Sequence, residues 1–394
     1  MSERIALGFC NNVDYEIVWN REVVEALVIH YGIRADELSA CGAIESERDL
    51  LLSILAFMGT GEGGERFVSD SKVIERFAAR FRKRVTLGGT SVRAAIAMRK
   101  LGYTSALHLI TQNDHARRLI PADSPYVCSN ARDSLYPHLI AQFEMGDQVR
   151  AGDIDVGARQ PNRLIYHCNA DRIDMRINPD FADLIEDAQV LLVSGFNAMQ
   201  DERLLVKRLE TVLKLLERLP AKATVYLEDG GYFDPSFRQL IYRALGCRIG
   251  VYSMNEDELQ DHLGRSVALD DAAQVRSAVA ELRRRIPARA IVVHSQHWAL
   301  AYGEGARRYA TALKAGVTMA TTRFRYGDDF SLEQYREIEN AAPRDQIASF
   351  AESINSAGGD NVYCVPVAAV DQRNATTIGL GDAFVGGFLP ALLD

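Results

Sequence analysis

The second half of the chain repeats one unit: a short apolar run, a polar turn, then a long amphipathic helix. Ala188 to Val193 reads as a strand ending in Ser194-Gly195, and Glu202 to Leu219 as a helix. Ala223 to Leu227 is a strand ending in Glu228-Asp229, followed by a helix from Asp234 to Leu245. Arg248 to Tyr252 runs into Ser253-Met254-Asn255-Glu256-Asp257-Glu258, with a helix from Asp270 to Arg285 behind it. Arg289 to Val293 ends in His294. Helix recurs within Ala306 to Phe324 and from Leu332 to Ser356, broken at Pro343, before a last strand at Val362 to Val367. Strands separated by helices of this length predict a mostly parallel sheet covered on both faces, a three-layer α/β/α sandwich. In such sheets ligands sit outside the carboxyl ends of the strands.

The first half is less regular. Ile5 to Phe9 is a buried strand running into Cys10-Asn11-Asn12-Val13-Asp14, where Asn12 and Asp14 are either ligand contacts or turn residues. Residues 17 to 83 read as largely helical, with apolar residues at helical spacing over Glu22 to His30 and Glu47 to Met58. Gly59-Thr60-Gly61-Glu62-Gly63-Gly64-Glu65 contains a GxGxxG spacing, but it follows a helix and carries Glu65 where a phosphate loop needs lysine, so it reads as a loop. Gly88-Gly89-Thr90-Ser91 precedes a helix from Val92 to Leu101; it either offers backbone N–H groups to a ligand or forms a capped turn. His138 to Phe143 and Asn162 to Asn169 are strands without a helix between them. They predict a smaller β-rich lid, drawn mainly from residues 15–35 and 135–170, on one catalytic unit spanning 1–394.

Composition narrows the function classes. The 394 residues carry a net charge of −8 and no long basic block, which disfavours nucleic acid as a partner; Arg283-Arg284-Arg285 suits a helix end. No apolar run is long enough to span a bilayer, and the start of the chain is too short and polar for a signal peptide. Six cysteines stand singly with no CxxC, which fits reduced thiols in a cytoplasm.

The chemistry concentrates near the end, in Asn374-Ala375-Thr376-Thr377-Ile378-Gly379-Leu380-Gly381-Asp382-Ala383-Phe384, at the mouth of an apolar helix read as Ala383 to Leu393. A helix start has free N–H groups and a positive dipole end, and glycines let a phosphate approach. An aspartate there repels a phosphate. Asp382 therefore makes sense as a base for an attacking hydroxyl, or else as a simple helix cap. Upstream, Glu228 and Glu258 end strands on the same rim, and carboxylates near a phosphate suggest Mg²⁺. Asn255 and Glu258, three apart, either share a metal-bound water or form a capping box.

Four stretches together resemble the ADP-dependent sugar kinases, the glucokinases and phosphofructokinases of the ribokinase-like superfamily. Thr377 to Ala383 is similar to the glycine-x-glycine-aspartate signature. Ser253 to Leu259 is similar to the family's NxxE stretch, Pro161-Asn162-Arg163-Leu164-Ile165 to its Asn-Arg strand, and Ala312 to Gly316 with Arg323 to Gly327 to a helix near the adenine. The resemblance implies Asp382 as general base, with the Gly379-Leu380-Gly381 backbone as anion hole. It implies Mg²⁺ organised by Glu228, Glu258 and Asp382, and a nucleotide near His294 and Asn255. Asn12, Asp14, Gly88, Gly89 and Thr90 would hold the sugar, and Arg163 would reach in from the lid. Donor and acceptor would be ADP and a sugar or sugar phosphate, with an ATP-dependent ribokinase-like kinase of a nucleoside or specialised sugar as the alternative; a non-catalytic sugar- or nucleotide-binding homologue is a further reading. A monomer or small homo-oligomer is expected. Tyr226 stands where the family has the histidine of His-x-Glu, Thr90 where asparagine follows the paired glycines, and Cys10 where the first strand has asparagine.

Overall fold

The computed structural model describes residues 4–160, 162–357, 359–371 and 375–393; Pro161 and Asn374 of the stretches above lie outside them. Its strands are β1 (Ile5–Gly8), β2 (Asn12–Ile17), β3 (Gly64–Phe67), β4 (Lys83–Gly88), β5 (Ala106–Leu109), β6 (Tyr126–Cys128), β7 (His138–Phe143) and β8 (Gln148–Ala151). After them come β9 (Ile154–Gly157), β10 (Asn162–His167), β11 (Val190–Val193), β12 (Thr224–Glu228), β13 (Ile249–Asn255), β14 (Ala290–His294), β15 (Trp298–Gly303) and β16 (Val362–Pro366).

Nine of them form one sheet in the order β16-β15-β14-β13-β12-β11-β1-β5-β6. Every pairing in it is parallel except the two made by β15. Side chains alternate between two cores, as strands covered on both faces require. Ile5, Leu7, Val190, Leu192 and Val292 enter one core; Ala6, Leu191, Val193, Ile291 and Val293 enter the other. The three layers follow from this alternation.

A second sheet, in the order β3-β10-β7-β2-β4, packs its buried residues into the first of those cores. Two of its strands, β3 and β4, come from outside the 15–35 and 135–170 windows. Its placement corrects three readings. Asn12 and Asp14 are not in a turn: they lie on β2, opposite Gly88 and Thr86 of β4. The stretch 17–83 is not all helix, and the glycine-rich loop is shorter than expected, because a helix runs on to Thr60 and β3 begins at Gly64. Strand β15 was also not anticipated. The six cysteines are unpaired. Among the described residues no helix is long and apolar enough to cross a membrane.

Candidate active site

The helix that closes the chain starts at Leu380, three residues earlier than its apolar run suggested, and ends at Phe388. Its N-cap is Gly379, in the left-handed region at φ 63°, and no side chain caps it. The first backbone bond from the cap is Ala383 N–H to Gly379 O at 3.0 Å. The N–H groups ahead of it are the free donors that an α-helix start leaves for a ligand. Asp382 sits inside the first turn, so it does not cap the helix, and its side chain keeps 22% exposure.

On one side of this helix start lies a cleft of about 400 Å³. Val317, Ala320 and Phe324 of the helix Ala310–Tyr326 form an apolar wall, while Arg163, Leu380 and Gly381 line the polar end. Its size and mixture of surfaces suit a small organic ligand with an anionic end. The Arg163 guanidinium has no hydrogen-bond or ion-pair partner among the described residues. Burial disfavours its charge, with Asp382 and Glu65 opposing that effect. Arg323, on the same helix as the apolar wall, points elsewhere: its Nε donates to Ile378 O at 2.7 Å, and it pairs with Asp328.

On the other side lie Asn12 and Asp14. Asn12 Nδ2 donates to Asp14 Oδ1, and both residues are buried. Gly88 is opposite because only a glycine fits: a Cβ there would fall 2.3 Å from Asn12 Nδ2 and 2.5 Å from Asp14 Oδ2. Gly89 N-caps the helix Thr90–Arg99 at φ 93° without a side-chain bond, and Thr90 is its first residue. Burial pushes the Asp14 carboxyl up to about 6, although Arg93 pulls it down.

Arg93, which sequence reasoning missed, joins the two sides. Its guanidinium lies 2.7 Å from Asp14, 3.5 Å from Glu16 and 3.7 Å from Asp382. Burial works against its charge, but Asp14, Asp382 and Glu16 outweigh this and hold it more firmly protonated than an ordinary arginine. The signal was a lone arginine in the run Ser91-Val92-Arg93-Ala94-Ala95, every residue of which is buried.

At the ends of β12 and β13 a group of acids gathers. Glu228 Oε1 lies 3.2 Å from His294 Nε2, and that imidazole stacks on Phe384 of the closing helix. Glu228 Oε2, Asp229 Oδ1, Ser253 Oγ and the Tyr226 hydroxyl are buried with no hydrogen-bond partner among the described residues. Asp229 Oδ2 meets His262 Nε2 at 2.5 Å, a pairing the sequence did not signal. Burial, then the neighbouring carboxylates of Asp229 and Glu228, push Glu258 well above the usual carboxyl range. The capping-box reading of Asn255 and Glu258 holds: Asn255 Oδ1 accepts from the Asp257 and Glu258 N–H groups, and Glu258 Oε2 accepts from the Asn255 N–H, each at 2.9 Å. The Asn255 oxygen is thereby used, which leaves its amide N–H₂ toward the cleft, a donor suited to an anion rather than a cation. Glu228, Glu258 and Asp382 are not brought together as direct ligands. Among the described residues no three His, Cys, Asp or Glu side chains are grouped to hold an ion. Asp382 has turned to Arg93 and Glu258 to its own helix cap.

The family model for the ADP-specific phosphofructokinase/glucokinase conserved region matches residues 3–389. Among solved structures, a phosphofructokinase from Pyrococcus horikoshii OT3 with AMP aligns at TM-score 0.77 and 16% identity, covering 99% of this chain and 98% of that one. An ADP-dependent kinase in complex with fructose-6-phosphate and ADPbetaS aligns at TM-score 0.74 and 12% identity, over 99% and 94% of the two chains. The last common ancestor of ADP-dependent phosphofructokinases from Methanosarcinales aligns at 0.73 and 13%, with the same coverage. At these identities the structures establish a shared fold. No curated protein sequence matches the chain significantly.

Proposed function

This chain belongs to the ADP-specific phosphofructokinase/glucokinase family, and from that premise we propose how its own residues carry out the transfer. It is an ADP-dependent sugar kinase, a phosphotransferase acting on an alcohol group. The cleft beside Leu380 and Gly381 takes the nucleotide, with the base against Val317, Ala320 and Phe324. The acceptor sugar or sugar phosphate lies across the helix start, its hydroxyls on Asn12, Asp14 and the backbone around Gly88, Gly89 and Thr90. Asp382 accepts the proton of the reacting hydroxyl. That oxygen bonds to the terminal phosphorus of ADP, the bond to the bridging oxygen breaks, and AMP leaves. The free N–H groups of the first helical turn meet the charge that develops on the phosphoryl oxygens, and Arg163, without a partner among the described residues, meets nucleotide or substrate phosphate.

Mg²⁺ fits the acid group beyond the cleft. A buried carboxylate oxygen without a partner among the described residues on each of Glu228 and Asp229, and the burial and neighbouring carboxylates that raise Glu258, call for a cation nearby. Since no direct ligand set is grouped among the described residues, Glu228 and Glu258 would hold the ion through water, as magnesium tolerates. When bound it neutralises charge on the donor phosphates.

The observation that carries this reading is the uncapped start of the closing helix. It bears Asp382 between an ADP-sized cleft and the Asn12–Asp14 pair. Asp382→Asn is expected to lower turnover by about a hundred- to ten-thousand-fold, the usual range for a positioned base. Nucleotide affinity, measured by calorimetry, should stay close to that of the parent chain. Near-normal turnover in that variant would remove the assignment. A coupled assay crossing ADP and ATP with hexoses and hexose phosphates identifies the acceptor; the reading expects AMP as a product.

A further inference from the structure

We propose that Arg93 is a positioning residue of the transfer reaction, its guanidinium tying the acceptor-side carboxylate Asp14 to the reacting carboxylate Asp382. The proposal rests on the reading of Asp382 as the base. Arg93 occupies a helix face whose neighbours Val92, Ala94 and Ala95 are buried, so packing gives no reason for a guanidinium there. Its side chain is 5% exposed, and it meets three carboxylates from two elements: Asp14 and Glu16 on β2, and Asp382 on the closing helix. Gly379 leaves it room, since a Cβ at that position would stand 2.8 Å from Arg93 Cδ. A buried cation removed from such a group would leave its acids facing one another unpaired. Arginine suits the task because its planar fork can address two carboxylates at once, which the point charge of lysine cannot. Arg93 thus holds Asp382 at a fixed distance from the hydroxyl that Asp14 orients. Its absence from the lining of the nucleotide cleft separates this role from donor binding.

Arg93→Ala and Arg93→Lys test it, read by kcat, acceptor KM and nucleotide Kd. In R93A we expect kcat to fall about a hundredfold, as a misplaced catalytic group costs, with nucleotide Kd unchanged within about twofold. Added guanidinium ion should restore R93A about tenfold and leave the parent chain unaffected, while ammonium should not. R93K keeps a buried charge and serves if R93A fails to fold; its kcat should still fall about tenfold with nucleotide Kd unchanged. Turnover in either variant within about threefold of the parent overturns the proposal, as does a nucleotide-binding R93A that guanidinium does not restore. Asp382→Asn assayed in parallel separates the two claims. An active D382N removes the base itself, whereas an inactive D382N beside fully active Arg93 variants removes only the role of Arg93.

Discussion

Asp14 illustrates how one carboxyl can be moved by its surroundings. Burial raises it to about 6, from an ordinary value of 3.8. Above that pH it is charged and a strong acceptor for a hydroxyl; below it, it is protonated and a weaker one. Acceptor KM is therefore predicted to rise as pH falls below about 6, with a weaker dependence in Asp14→Asn, measured as KM against pH at saturating nucleotide. The linkage has the opposite sense for stability. A carboxyl raised on folding binds protons more tightly in the native state, so its contribution weakens as pH climbs from 3.8 toward 6. Gly379→Ala is predicted to cost about 1–3 kcal/mol, because alanine strains at φ 63°. It should also lose activity, because its methyl would press on Arg93. At this scale the place of Asp382 at a helix start was legible, since Gly379 and Gly381 directly precede it and an apolar run follows. Arg93 was not, because its partners lie on β2 and on the last helix, and no local pattern announces such distant contacts.

The closing helix is held by close approach. A Cβ on Gly387 would stand 2.4 Å from Ala315 O, and one on Gly316 would stand 2.6 Å from Phe384, so this helix and Ala310–Tyr326 nearly touch backbone to side chain. Gly387→Ala should push them apart and cost about 1–3 kcal/mol, the usual scale of overpacking. The check is a lower urea midpoint with an unchanged slope. At the level of elements, the parallel strands β11 to β14 were readable because they recur at the same strand–helix spacing, whereas the three-residue β6 was not. β15 was hidden because it follows β14 after a three-residue turn, Ser295 to His297, and runs antiparallel, without a helix of its own. β3 was hidden for another reason. Gly-Glu-Arg-Phe is half exposed, and its partner β10 lies far along the chain. The same distance concealed the pairing of β2 with β4, so Asn12 and Asp14 looked like turn residues.

Across the whole molecule, two sheets contribute to the candidate site: Asp14 and Arg163 belong to the smaller, and the rims of β12 to β14 to the larger. Movement of the small sheet toward the large one would exclude water that otherwise hydrolyses the donor. Scattering with nucleotide and acceptor together is predicted to give a smaller radius of gyration than either alone, and an unchanged curve would count against such movement. The three layers and their parallel core were readable from the strand–helix rhythm; the composition of the small sheet was not, because it is assembled from pairings across long loops. The strand order also bears on how the chain is made. The five strands of the small sheet all lie within residues 12–167, whereas β1 waits for β11, at Val190, to complete its pairings. At a synthesis rate of about 5–20 residues per second, β1 spends roughly ten to forty seconds without that neighbour. The small sheet can therefore be finished on the ribosome while Ile5 to Leu7 still present an open edge, and a holdase chaperone has its longest opportunity at the very first strand.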